Sequence, residues 1–368
     1  MGLFDRFTNQ KPISGTDVSA SLAPFTISEA IYASTNTGAT ATRVQAMGIP
    51  TIARARNLIC SSVASLPIEQ YNKFTGAHEE PNRVINQPDP RVPGSYIYAY
   101  VAEDLLFYGV SYGQVLDAYS SSDGSRVRAW TRIDPTRVAP ILNNLQTEIV
   151  GYRVDGAVVP TSGIGSLVVF NGMDEGLLNR AGRTIRAALE LERAAELYAK
   201  EPTPTMVLKS SGTNLTPERI TKLLESWKVA RSSRATAFLN ADVELQALGF
   251  DPKSLQLAEA RQYVALELAR ACGISAYFVS AEMTSMTYSN SINERRALVD
   301  FTLKPILVSI EKRLSMPDFV PSTTTEVRFD LDDFLRGNPL ERAQVYEILN
   351  RIGAMSVEQI QEEEDLIR

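Results

Sequence analysis

Histidine is almost missing from this chain: His78 is the only one in 368 residues, and cysteine is confined to Cys60 and Cys272. A structural or catalytic zinc site draws on several Cys and His side chains, so this composition excludes one. The two cysteines lie far apart in apolar helical surroundings, which suits buried free thiols in a reducing compartment. No Walker-type glycine-rich loop occurs, which excludes ATP hydrolysis by that route. No run of 18 apolar residues exists, so no membrane-spanning helix is expected. The opening Met1-Gly2-Leu3-Phe4-Asp5-Arg6 lacks a secretory apolar region, and Arg6 stands where a myristoylation motif has Ser or Thr, so the product is expected in the cytoplasm. An excess of basic charge is absent too: 37 Lys and Arg against 43 Asp and Glu leave a net charge of −6. Proteins that hold DNA by its phosphates are usually basic, so a soluble DNA-binding module fits poorly.

What is present is an ordinary globular composition, 44% hydrophobic and 22% charged, enough for two to three domains. Residues 1–47, rich in Ser, Thr, Ala and Gly over 8–45, are expected to form a mobile arm. From Thr51 the apolar residues Ile52, Ala55, Ile59, Val63 and Leu66 recur at helical spacing, and Pro67 stops the run. A strand at 68–73, a proline-rich loop at 86–94 and a helix through Tyr96, Tyr100, Leu105 and Phe107 follow, the last ending near Gly109. The segments SYGQVLDAYS, RVRAWTRI, RVAPIL, EIVGYRV and SLVVF then read as strands of a mainly antiparallel sheet, giving an α+β domain.

Beyond it, 180–201 is strongly helical and is stopped by Pro202 and Pro204. Thr216-Pro217 caps a helix carrying Ile220, Leu223, Leu224 and Trp227, and ATAFLN with VELQAL reads as a small strand pair. Asp251-Pro252 opens another helix to about Ile274, about 32 Å long at the α-helical rise. A loop at 275–291 leads to a helix at about 291–315 in which Pro305 predicts a kink. EVRFDL is a strand, Asn338-Pro339 caps a helix ending at Gly353, and Ser356 with Gln359 forms a capping box.

Three places look chemical. Gly109-Val110-Ser111-Tyr112-Gly113 matches the nucleophile elbow of α/β-hydrolases, but that motif needs a strand before the serine, a helix after it and a downstream histidine. Here a helix precedes, a strand follows, and His78 lies upstream in a polar turn, so a helix-to-strand turn is the expected reading. Asp330, Asp332 and Asp333 invite a divalent-metal reading. On a strand, 330 and 332 share a face while 333 points away, and a solvated turn is expected instead. Lys222, Lys228, Arg231 and Arg234 surround Trp227. That cluster suits nucleic acid, a charged subunit interface or a docking face for a partner.

The order IARARNLICSSVASLPIEQY (52–71), NQPDP (86–90), LLFYGVSYGQVL (105–116), RIDPTRV (132–138), RTIRAALELERAAELYAKE (183–201), LTPERITKLLESW (215–227), SLQLAEARQYVALELARACGISAYFV (254–279) and YSNSINERRALVDFTLKPILVSIEKRL (288–314) resembles the large portal family of long-tailed bacteriophages, over about 48–366. The resemblance implies a non-enzymatic ring, typically of twelve copies, at one capsid vertex, through which double-stranded DNA is packaged and ejected. It implies a wing at 48–180 and 292–335, stem helices at 181–201 and 251–274, a clip at 202–250, a tunnel loop at 275–291 and a short helical crown at 336–368. The implied partners are the same chain, the major capsid protein, the terminase large subunit and a head–tail adaptor, with no cofactor and no membrane. The clip side chains Trp227, Lys228, Arg231 and Arg234 would meet the motor. Another head–tail ring protein, such as an adaptor, and a serine hydrolase built on Ser111 are the rival readings.

The residues fit that role on their own terms. In 252–274, Leu255, Ala258, Ala265, Ala269 and Cys272 form one apolar face, and Leu257, Ala260, Val264, Leu268 and Ala271 a second. A helix apolar on two sides packs on two sides, in a ring or in the middle of a monomeric core. About twelve copies at −6 each carry on the order of −70 charges, a field that discourages DNA from sticking. Within the loop, Met283, Thr284, Ser285, Met286 and Thr287 are uncharged and only Glu282 is acidic, which suits contact with a moving duplex.

Overall fold

A computed structural model describes residues 41–121, 124–144, 148–200, 206–210, 216–232, 243–247, 257–279, 294–321, 323–331 and 339–364. The chain divides into two compact units, 1–186 with 264–368, and 187–263.

The larger unit is α+β. It opens with a helix the composition did not suggest: α1 (Arg43–Met47) lies inside the stretch expected to be a mobile arm. Its reason is local and tertiary at once. Thr42 and Gln45 close a reciprocal capping box, and Ala41 and Ala46 are buried. Pro50 then occupies the first turn of α2 (Pro50–Ser65), where its missing N–H costs nothing. β1 (Ile68–Asn72), β2 (His78–Glu79), α3 (Arg83–Asn86) and α4 (Gly94–Tyr108) follow. α4 is buried nearly all round from Val101 to Tyr108, because α2 packs on one side and the sheet on another.

Three antiparallel sheets complete the unit. β3 (Val110–Ser121) is central between β4 (Gly124–Ile133) and β8 (Leu167–Asn171). β5 (Val138–Leu142), β6 (Ile149–Val154) and β7 (Ala157–Val158) form the second. β1 pairs with β2 on one side and with β11 (Thr325–Phe329) on the other, so strands far apart in sequence close one sheet. Trp130 anchors the core: its ring centroid lies 5.3 Å from that of Phe170 and its face rests on Gly113. A Cβ on Gly113 would sit 2.4 Å from the indole, which explains a glycine in mid-strand.

The helix expected over 180–201 forms as one element, starting two residues later than expected. α5 (Leu177–Arg180) ends at Ala181, and α6 (Gly182–Lys200) begins immediately after. The chain enters the smaller unit along α6 and leaves it along α8 (Leu257–Ala271). There, α7 (Pro217–Ser232) starts at the Thr216-Pro217 boundary as expected. β10 (Val243–Ala247) pairs antiparallel with β9 (Met206–Ser210), a strand the pattern did not single out. The expected partner ATAFLN lies outside the described residues. Arg261 of α8 donates to both carboxylate oxygens of Glu192 on α6 at 2.9 and 3.0 Å. α8 stops at Ala271 rather than Ile274, because Gly273 takes a left-handed φ of +70°.

The kink expected at Pro305 takes the form of a π turn. Residues 294–297 are α-helical, Leu298–Leu303 widens to π geometry, and α9 (Lys304–Leu314) resumes. Proline offers no N–H to the preceding turn. The Lys304 N–H donates to Val299 O, five residues back. Finally α10 (Pro339–Arg351) and α11 (Val357–Glu363) follow, with the Ser356–Gln359 capping box formed. Among the described residues no helix is long and apolar enough to cross a membrane.

Candidate functional site

Ser111 opens no catalytic site. It stands one residue inside β3, after α4 and the left-handed Gly109, and is completely buried. Its Oγ donates to Asp104 Oδ2 at 2.9 Å, and Arg132 Nε donates to the same oxygen at 2.8 Å. His78 is exposed on β2, with Nδ1 3.2 Å from Glu69 Oε2. A nucleophile needs a base within hydrogen-bond reach and access for a substrate. Ser111 has a carboxylate already committed to an arginine, and no opening.

That carboxylate belongs to a cluster the sequence reading missed. Asp104 and Glu103 are adjacent, buried, and sit in the apolar run YVAEDLLFY of α4. Glu103 accepts from Arg43 Nε and Arg56 Nε, each at 2.5 Å, which ties α1 and α2 to α4. The guanidinium groups of Arg56 and Arg132 also lie 5.6 and 5.4 Å from the centre of the Tyr100 ring. Burial pushes the Asp104 carboxyl up to about 7, against the opposing pull of Arg132 and the Ser111 hydroxyl. The available signal was two consecutive acids inside an apolar helix. Buried acids are almost always paired.

The expected channel-facing residues Glu282, Met283, Thr284, Ser285, Met286 and Thr287 lie outside the described residues. The residues before and after the undescribed stretch 280–293 are described, and two contacts tie them down. On the incoming side, Ala276–Val279 forms a short 3-10 turn whose Phe278 carbonyl accepts from Arg54 Nε at 3.2 Å. On the outgoing side, the Thr302 hydroxyl of the π turn donates to Gly273 O. Beside the clasp is a cleft of about 290 Å³ lined by Leu106, Met173, Cys272, Phe301 and Pro305 among others. Burial pushes the thiols of Cys60 and Cys272 up to about 12, so both stay protonated at neutral pH.

In the smaller unit, Trp227 is half-buried on α7, next to exposed Ile220 and Leu224 on the same face. Lys228 and Arg231 lie on α7 in backbone position, and Arg234 lies outside the described residues. Asp330 follows β11 and is half-buried, while Asp332 and Asp333 lie outside the described residues.

Comparison with known proteins gives one consistent result. The family model described as "Phage portal protein" matches residues 50–365. The chain is 22% identical over 358 residues to a curated protein of Streptomyces phage phiC31 described as "Probable portal protein", covering 89% of this chain and 77% of that one. Among solved structures it is similar to an HK97-family phage portal protein from Corynebacterium diphtheriae, with 25% identity and a TM-score of 0.64, covering 82% of this chain and 99% of the other. A chain from the virion of a native gene transfer agent particle shares the fold, with 18% identity and a TM-score of 0.57 over 91% of this chain and 98% of that one.

Proposed function

The chain belongs to the phage portal protein family, and from that membership we propose that it is a structural subunit of the portal ring at the head–tail junction of a phage particle. The observation that carries this is the continuity of the family match. It runs from residue 50 to 365, through both compact units. The closed environment of Ser111 supports a role without catalysis of its own.

In finer terms, we assign the ring to a capsid vertex, with about twelve copies and a central channel for packaging and ejecting double-stranded DNA. Assembly takes place in the host cytoplasm, beside the major capsid protein. Residues 48–180 with 292–335 form the wing, 181–201 and 251–274 the stem, 202–250 the clip, 275–291 the tunnel loop and 336–368 the crown. The anchored base of the tunnel loop supports this assignment. Arg54 and Thr302 hold the two flanks, so an uncharged tip at 283–287 would be presented from a fixed footing. Uncharged side chains contact a duplex without neutralising phosphates, and so without the strong retention that counterion release brings. The test is Thr284→Lys with Met286→Lys. Packaging by particles carrying both should slow or stall, and packaging at the normal rate would refute the assignment.

The clip would dock the terminase large subunit during packaging and the head–tail adaptor afterwards, through Trp227, Lys228, Arg231 and Arg234. A half-buried tryptophan followed in sequence by Lys228, Arg231 and Arg234 has the composition of an interface hot spot. Trp227→Ala with Arg231→Glu should weaken motor binding by roughly 100-fold. Unchanged motor affinity in a direct binding assay would remove this patch from the interface.

A further inference from the structure

The cleft of about 290 Å³ beside Gly273 is built for an apolar occupant. Ile59, Leu105 and Leu106 line it and are buried, whereas Met173 and Phe301 line it while 74% and 79% exposed. Its polar side chains are already committed. The Thr302 hydroxyl donates to Gly273 O, and the Ser309 hydroxyl donates to Asn171 O at 2.5 Å. Arg180 donates to Ala271 O at 2.6 Å and pairs with Asp174, and Arg270 pairs with Glu267.

These properties narrow the occupant. A small-molecule site typically has about 300–1,000 Å³ and a few convergent polar groups that fix the ligand's orientation. This cleft stands at the lower limit of that range, and its hydrogen-bonding side chains are spent on groups of the chain itself. Apolar side chains presented by a peptide suit it better. The chain carries such a peptide. Residues 1–40 precede Ala41, the first described residue, and within them Leu22-Ala23-Pro24-Phe25-Thr26-Ile27 leads on to Ile31. Glu29 is the only charged residue from 18 to 40, so this run brings no group of charges to desolvate.

We propose that residues 22–31 of this chain fill the cleft of the same chain, with Phe25 and Ile27 as the anchors against Met173 and Phe301. The point where the described chain begins favours this occupant. Arg43, two residues past Ala41, donates to Glu103 on α4. Leu106 of the cleft is three residues further along α4 and on the same side of the helix, so the cleft opens roughly one helical turn beyond that attachment. The linker from 28 to 40 can span up to about 45 Å, far more than this needs. Tethering also gives the segment an effective concentration on the order of millimolar, so a weak apolar contact is enough to keep the cleft filled. The proposal needs one chain only and does not rest on the portal-ring reading. In place of a free arm, it gives the N-terminal segment a fixed seat beside the contacts that tie down residues 273–279 and 302.

The experiment uses the full-length Met173→Cys chain, purified in unassembled form. Cys60 and Cys272 are buried, so a maleimide reports on position 173. Labelling should be at least about five-fold slower than in the same chain carrying Phe25→Asp and Ile27→Asp, because the two aspartates empty the cleft. The difference should not change on dilution. Equal rates with and without the aspartates would overturn the proposal. Protection that disappears on dilution would overturn it as well, by showing that another copy covers the cleft. A second pair of variants reads the contact directly. On mild oxidation, Ser28→Cys with Met173→Cys should close a disulfide within one chain, at least about five-fold more completely than Ser14→Cys with Met173→Cys. Equal or greater closure through position 14, or links only between chains, would refute the assignment of residues 22–31.

Discussion

Arg132 and Asp104 should give the largest single-residue effects on stability. Removing the arginine strands a buried carboxylate, which typically costs about 3–5 kcal/mol, whereas removing an isolated surface ion pair costs well under about 1 kcal/mol. Arg132→Ala should therefore lower the urea midpoint far more than Arg128→Ala, whose partner Asp117 is exposed. Ser111→Ala loses one hydrogen bond to a charged group, about 1–3 kcal/mol, and no reactivity, so both proteins should be inert to fluorophosphonate probes. The Asp104 site also gives stability a pH dependence of defined sign. Its folded-state pKa, about 7, is raised above the ordinary carboxylate value of about 3.9. The folded chain therefore holds a proton that the unfolded chain has released. This contribution to stability is complete below about pH 4 and is lost as pH rises through about 7. Urea midpoints from pH 5 to 8 should fall in the parent and flatten in Asp104→Asn. A midpoint that rises with pH in this range only when Asp104 is present would contradict the assignment. Little of this cluster was legible in the sequence. The inert reading of Ser111 followed from His78 lying upstream and from helix preceding strand. The arginine partners, by contrast, lie 28 to 60 residues from their acids, and no local pattern announces such pairs.

At the scale of elements, the turn from α4 into β3 depends on a glycine. Gly109 has φ +71°, and a Cβ there would lie 2.0 Å from Asp174 O. Gly109→Ala combines left-handed backbone strain with a backbone clash and should cost at least about 2 kcal/mol by urea unfolding. Thr302→Val should behave differently. It removes the hydroxyl that reaches Gly273 O, so amide exchange should rise locally in 272–279, with a global loss of only about 1 kcal/mol. The elements read correctly from the sequence are those whose signals are local: the proline and glycine boundaries of α2, α4, α7 and α10, and the alternation in β3, β4 and β6. The errors fell where another part of the chain decides. α1 is only five residues long, buries Ala46 alone, and is fixed by its capping box and by Arg43 reaching Glu103. β9 is a five-residue strand behind two prolines and gains its identity only by pairing with β10. The Pro305 kink was anticipated, but its π geometry comes from the missing N–H together with the Thr302 anchor, which sequence spacing does not encode.

For the whole molecule, α8 is only partly covered by its own chain. On α8, Leu268 and Ala269 are buried, as is Cys272 just beyond its end, Val264, Ala265 and Leu266 are half-buried, and Ala258 and Tyr263 are exposed. Of the two faces expected on this helix, the described chain covers only the C-terminal part. Family and fold class were legible from the order of motifs, because the portal family match runs from residue 50 to 365. The compact unit 187–263 was legible only as a helix–clip–helix insertion, since its limits are set by contacts rather than by composition. The net charge of −6 also belongs to this scale: repeated around the channel proposed above, it would favour passage of DNA over retention. The most direct test is single-particle electron microscopy of the purified full-length chain across a range of concentrations, paired with mass measurement of the same samples. Closed annuli whose mass is an integer multiple of the chain, near twelve, are the expected result. A compact monomer at every concentration, and no annulus at the vertex of assembled particles, would contradict the account.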